Sequence, residues 1–131
     1  MRVVVGIGCD RGAAAATVAE AVDGALAEAR VGPAAVVAVA SIVLKRDEPA
    51  LHALAQARGW PLVFYPAAVL AQIPVPHPSA LVRRYTGTPA VAEAAALCRA
   101  RGCAADLIIE KRRWRGEDGC NATVAIARLN E

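Results

Sequence analysis

A β-branched run from Arg2 to Ile7 breaks into glycines at Gly6 and Gly8, and within a few residues gives way to a pattern of helical period. That junction constrains the fold more than any other feature of the chain. A short apolar run closed by glycines reads as a buried strand, and a strand that hands over at once to a helix opens a β-α-β unit. From Ala13 to Arg30, Val18, Val22 and Leu26 recur every fourth residue while Glu20, Asp23 and Glu28 take other faces. This is an amphipathic helix, and Gly32-Pro33 ends it. Ala35 to Ile42 repeats the strand pattern. Asp47 as N-cap and Pro49 in the first turn then predict a second helix running to Arg58, with Gly59 as its C-cap, and Pro61 to Tyr65 gives a third strand.

The second half is less regular. Pro66, Pro74, Pro76 and Pro78 exclude long regular structure and leave room for short helices at Ala67 to Gln72 and from Ser79 to Tyr85. Thr88-Pro89 has the cap-then-proline chemistry of a helix start, predicting a helix to Arg101 closed by Gly102, with Val91, Ala94, Ala95 and Cys98 as its buried stripe. Asp106 to Lys111 and Ala122 to Leu129 read as two strands of an antiparallel hairpin joined by a polar loop, Arg112 to Asn121. The predicted architecture is an α/β three-layer sandwich over one domain, residues 1–131, with a mixed, mainly parallel sheet and a C-terminal antiparallel hairpin.

Apolar residues make up 56% of the chain and aromatic residues only 4%, so the core must be packed from Ala, Val, Leu and Ile. A formal net charge of +3 is too small to argue for nucleic acid, and Trp114 alone accompanies the basic segment where a single-strand binder offers several stacking platforms. No run approaches the roughly 20 apolar residues that cross a bilayer, and the first residues lack a signal-peptide cleavage pattern, so a soluble, cytoplasmic protein with no membrane partner is expected. Cys9, Cys98, Cys103 and Cys120 are scattered, with no CxxC and no His at ligand spacing. Neither a metal site nor a disulfide framework is indicated, and no cofactor is expected.

Three segments can carry chemistry. Gly8, Cys9, Arg11 and Gly12 lie where the first strand meets its helix, where backbone N–H groups and the helix dipole suit an anion, although a tight turn alone also accounts for the glycines. The spacing is GxGxxxG, and no acidic residue closes the second strand, so this is not a dinucleotide fingerprint; a more general phosphate or nucleotide site stays open. Ser41 and Lys45 follow the second strand, at the carboxyl end where open parallel sheets bind ligands. Gly87 and Thr88 present amides and a hydroxyl at another helix start, and Glu93 falls on the first turns of that helix, where a carboxylate serves the dipole or, facing a cleft, acts as an acid or base. Lys111, Arg112, Arg113 and Arg115 form the most basic stretch, whose guanidinium groups suit carboxylates. Cys9 sits where a thiolate is stabilised, but no partner histidine accompanies it.

Taken together, Val5-Gly6-Ile7-Gly8-Cys9 with Arg11-Gly12, Ala40-Ser41-Ile42 with Leu44-Lys45 and Glu48, Pro78-Ser79, Gly87-Thr88, the run Val91 to Leu97, Lys111, and Ala122 to Arg128 resemble the CobE family and the C-terminal half of its larger relative CbiG. In that family the glycine loop usually reads GxGCRRGT; here Asp10 replaces a basic residue, Ala13 a hydroxyl residue, and Ala90 a serine. The resemblance implies a place in cobalamin (vitamin B12) biosynthesis and binding of a corrin-ring intermediate rimmed by carboxylates, with Gly8, Cys9, Arg11, Gly12, Ser41, Lys45, Gly87, Thr88 and Lys111 as the binding set. Other enzymes of the pathway are implied partners. CbiG opens a δ-lactone on a cobalt-corrin precursor and releases acetaldehyde, so the resemblance also admits a hydrolase, with Glu93 activating water and the Gly8 to Gly12 amides meeting the oxyanion.

Overall fold

The computed structural model describes residues 1–76 and 91–130. Its strands are β1 (Val3–Cys9), β2 (Val36–Ile42), β3 (Leu62–Tyr65), β4 (Leu107–Arg115) and β5 (Asn121–Arg128), and its α-helices are α1 (Ala15–Ala29), α2 (Pro49–Arg58), α3 (Ala67–Leu70) and α4 (Val91–Ala100). The strands form one sheet in the order β3-β2-β1-β5-β4. β1 pairs parallel with β2 and β2 with β3, whereas β5 runs antiparallel to both β1 and β4. Four strands therefore point one way, and their carboxyl ends share one rim of the sheet.

Alternation along β1 sorts the core into two layers. Val3, Val5 and Ile7 face α1 and α2, where Val18, Val22, Leu26, Leu51 and Leu54 meet Val39, Val124 and Ile126. Val4 faces the other way, onto a layer of Ala40, Ile42, Leu70 and the small residues of α4. That second layer is thin because a Cβ on Gly6 would overlap the Ala92 carbonyl and crowd Ala96, so the α4 backbone lies almost directly on β1. Such an approach leaves α4 buried nearly all round, through Val91, Ala92, Ala94, Ala95, Ala96, Leu97 and Ala100. The four-residue stripe expected from its period understates this, since alanines on every side let the helix sink into the layer.

Element boundaries hold closely, with three informative differences. α2 begins at Pro49 and ends at Gly59 as expected, but its N-cap is Glu48 and not Asp47. Glu48 does not cap its own helix; its side chain goes elsewhere, as described below. β1 continues through its glycines to Cys9 because β5 pairs with it that far, Gly8 opposite Thr123 and Cys9 opposite Ala122. β4 runs four residues past the expected strand end at Lys111, to Arg115. Its charged end is accommodated by α1: Arg112 Nε donates to Glu28 at 3.0 Å and Trp114 Nε1 to Glu20 at 3.2 Å. The expected helix from Ser79 to Tyr85, the Thr88 cap, and the sites at Gly87 and Thr88 lie outside the described residues.

Candidate functional site at the carboxyl rim of the sheet

At the end of β1 the chain turns through Asp10, Arg11 and Gly12, the last with φ +77°, a left-handed conformation that favours glycine. The turn is pinned from two sides. Asp10 reaches β5, accepting from the Asn121 backbone N–H at 2.8 Å. Glu48, only 3% exposed, accepts from the Gly12 N–H at 3.1 Å through Oε2, while its Oε1 stands 4.0 Å from the Arg11 guanidinium. Lys45 occupies the 3-10 turn between β2 and α2. It lies near enough to act electrostatically on Cys9. Thus Cys9, Arg11, Gly12, Lys45 and Glu48 form one group at the ends of β1 and β2.

Two amides at this turn, those of Gly12 and Ala14, are already occupied by carboxylates. α1 has no side-chain cap of its own, because Ala14 stands at its N-cap position. The missing acceptor comes from the β4–β5 turn, where Asp118 accepts from the Ala14 N–H at 2.8 Å and the Thr17 hydroxyl at 2.8 Å. Those two bonds hold the Asp118 carboxyl down at about 2. An anion approaching the glycine turn therefore meets two of the chain's own carboxylates, Glu48 on Gly12 and Asp118 on Ala14. The exposed cation is Arg11, whose side chain is 78% accessible.

Cys9 is not an activated nucleophile. Burial pushes its thiol up to about 11, with Lys45 opposing the shift and Glu48, Asp10 and Cys120 adding to it. Ser41 is also turned inward, its hydroxyl donating to the Ile7 carbonyl at 2.6 Å within the buried sheet. Gly8 faces the opposite layer, where its α-carbon lies under Val91 at the start of α4.

Lys111 stands apart from this group. It lies in a bulge of the edge strand, where Glu110 and Lys111 interrupt the ladder between the pairs Ile109–Ile126 and Arg112–Val124. Its backbone N–H donates to Glu93 Oε2 at 3.1 Å. Arg112 and Trp114 turn toward α1, so alternation sends Arg113 to the α4 side, and the bulge sets Glu110 and Lys111 together opposite Ala125, which packs in the α4 layer. Arg113 pairs with Thr123, which pairs with Gly8, so these three form a row across the α4 face near the rim. Glu93 is wholly buried, and its Oε1 has no hydrogen-bond partner. Among the described residues no three His, Cys, Asp or Glu side chains converge as metal ligands, and no helix is long and apolar enough to cross a membrane.

The family described as cobalamin synthesis G C-terminus matches residues 3–127. The chain belongs to this family. Relatives of the cobalamin synthesis G C-terminus family include Protein CobE of Sinorhizobium sp, 42% identical over 110 residues that cover 82% of this chain and 71% of that protein. A cobalt-precorrin-5A hydrolase of Priestia megaterium is 32% identical over 123 residues, 94% of this chain but 31% of the hydrolase, so the chain spans about a third of that protein's length. Among solved structures, the crystal structure of CobE, a protein from the cobalamin biosynthetic pathway, superimposes with a TM-score of 0.75 at 33% identity, covering 99% of this chain and 93% of that one. The cobalamin biosynthesis protein chiG of Agrobacterium tumefaciens str. C58 gives a TM-score of 0.66 at 29% identity, with 98% and 99% covered. Membership in the family makes this a cobalamin biosynthesis protein of the CobE and CbiG C-terminal type. Of the rim residues, Asp118 escaped the sequence reading, while Arg113 and Thr123 entered it only within the basic stretch and the run from Ala122 to Arg128, with no place at the rim. Reading β4 through to Arg115 would have found Arg113 by alternation, whereas Asp118 carries no local signal because the groups it serves lie about a hundred residues away.

Proposed function

We propose that this protein binds and carries a carboxylate-rich corrin intermediate of cobalamin biosynthesis over the carboxyl rim of its sheet, in the cytoplasm. The observation that carries the reading is the spacing of the cations. Arg11 and Lys45 follow β1 and β2, and Lys111 and Arg113 lie on β4, three strands from β2. At about 4.8 Å per strand this is a span of about 14 Å. Among the described residues Lys45, Lys111 and Arg113 enter no ion pair. A compact phosphate cannot engage cations so far apart, and the turn amides that it would need are held by Glu48 and Asp118. A broad flat macrocycle with carboxylates around its edge can meet both groups, each through charge-assisted hydrogen bonds. Likeness over nearly the whole chain to CobE, a protein from the cobalamin biosynthetic pathway, supports a ligand drawn from that pathway.

The test is a visible-absorbance titration with a metal-free corrin polycarboxylate. Wild type is expected to give a saturable spectral shift, and Lys45→Ala and Arg113→Ala are each expected to weaken it by roughly tenfold, the loss of one charge-assisted contact. No shift at any ratio would overturn the reading.

A second reading, hydrolysis of a corrin-ring lactone, draws on likeness to the hydrolase and on one structural observation, the unpartnered Oε1 of Glu93. It requires product to accumulate when protein is sub-stoichiometric to substrate, and Glu93→Gln to abolish that turnover with binding intact.

A further inference from the structure

A buried carboxylate with one oxygen lacking any donor is costly, and such a group persists where it serves another part of the molecule. Glu93 is the one buried side chain found in this condition among the described residues. Its surroundings show what it serves. Ala92 lies against Gly6 of β1, so Glu93, next on the helix, is carried round toward β5 and β4. There Oε2 takes the Lys111 N–H at 3.1 Å. That amide lies inside the β4 bulge, where two residues oppose one of β5 and the ladder provides no carbonyl for the extra one.

We propose that Glu93 is a positioning residue that fixes the Lys111 bulge and thereby aims the Lys111 ammonium at the α4 face of the rim. The proposal rests on the corrin-binding reading for its ligand but assigns Glu93 a role that this reading does not. Without an acceptor at this point the bulge can slide by one residue, and a one-residue slip exchanges the faces of Lys111 and Arg112. Lys111 would then point toward Glu28 on α1, where Arg112 now lies, and the rim would lose a cation on its ligand side. The carboxylate thus sets the register of the edge strand, and through it the charge of the site.

The experiment combines substitution with a double-mutant cycle, read by titration with the metal-free corrin polycarboxylate. Glu93→Met, similar in size but without an acceptor, is expected to weaken binding roughly tenfold, as Lys111→Ala does, and the double variant is expected to bind no more weakly than Lys111→Ala alone. Glu93→Gln retains an acceptor for the Lys111 N–H and is expected to stay within about twofold of wild type. Binding kept in Glu93→Gln and lost in Glu93→Met assigns the effect to the acceptor and not to the charge. If Glu93→Met does not fold, Glu93→Asp, which draws the carboxylate back by one methylene, takes its place with the same expectation. Wild-type binding in Glu93→Met, or losses that add to those of Lys111→Ala, would overturn the proposal. Amide hydrogen exchange tests it apart from any ligand: Lys111 should be protected in wild type and Glu93→Gln and exchange quickly in the acceptor-free variant, with Val124 and Ile126 unchanged. An unprotected wild-type Lys111 amide would overturn the positioning role, whereas failure of wild type to bind the corrin with Lys111 protected would overturn only the ligand.

Discussion

Asp118 concentrates in one side chain what is usually distributed along a helix start. The Ala14 amide and the Thr17 hydroxyl both donate to it, and they hold its carboxyl at about 2, against an ordinary value of 3.8. Because the folded value is lower than the unfolded one, the unfolded chain binds more protons between these limits, and stability rises with pH across them. The contribution is complete above about pH 4 and is lost as the pH falls from about 4 toward 2. Asp118→Asn is therefore expected to lower the melting temperature at neutral pH and to flatten the acid limb of wild type, which thermal melts at pH 2 to 7 would show. Cys9 makes an opposite prediction about reactivity. With its thiol pushed up to about 11 it holds little thiolate at pH 8, whereas Cys103 is exposed. A timed alkylation followed by peptide mass mapping is expected to label Cys103 well before Cys9. Neither Asp118 nor the partner of Glu48 could be read from sequence, because each bond joins segments far apart in the chain, and a carboxylate in a polar turn resembles any solvated one.

Among the elements, α4 depends most on a single position. A methyl group on Gly6 would enter the Ala92 carbonyl, and neither backbone can yield without lifting the helix from the sheet. Gly6→Ala is expected to cost about 3 kcal/mol or more, at the top of the range for overpacking, measured by urea denaturation. The contact of α2 with α1 is held more lightly. Arg58 makes a two-pronged bond to Asp23 at 2.9 and 3.0 Å while its guanidinium lies over Trp60. Because the pair is partly exposed, Arg58→Ala is expected to cost about 1 kcal/mol or less, with a smaller effect in high salt. Sequence reading performed best where punctuation is local, at Pro49 and Gly59 around α2, and where apolar runs are short and unbroken, at β1 and β2. It failed where tertiary contacts overrule composition. The stretch from Arg112 to Arg115 looked like a solvated loop and is a strand, whose Arg112 and Trp114 find partners in Glu28 and Glu20 of α1.

For the molecule as a whole, a rim with cations spread across it makes ligand capture sensitive to ionic strength. The screening length shortens from about 30 Å at 0.01 M salt to about 10 Å at 0.1 M, so corrin affinity is expected to fall over that interval in the same titration. The general architecture was legible, since a β-α-β-α-β rhythm followed by a hairpin leaves few ways to build a sheet. Which layer each rim side chain entered was not, because that depends on the bulge in β4 and on how far the hairpin extends. The position of β1 has a consequence for assembly in time. Val3 finds its antiparallel partner only at Arg128, and α1 receives its cap only from Asp118. During synthesis the first strand and helix therefore emerge from the ribosome with one flank unpaired and one end uncapped, and they must wait for the residues through Arg128 before closing. A nascent chain halted before β5 should present an adhesive sheet edge to chaperones, and release of the hairpin should be the step that commits the protein to its native state.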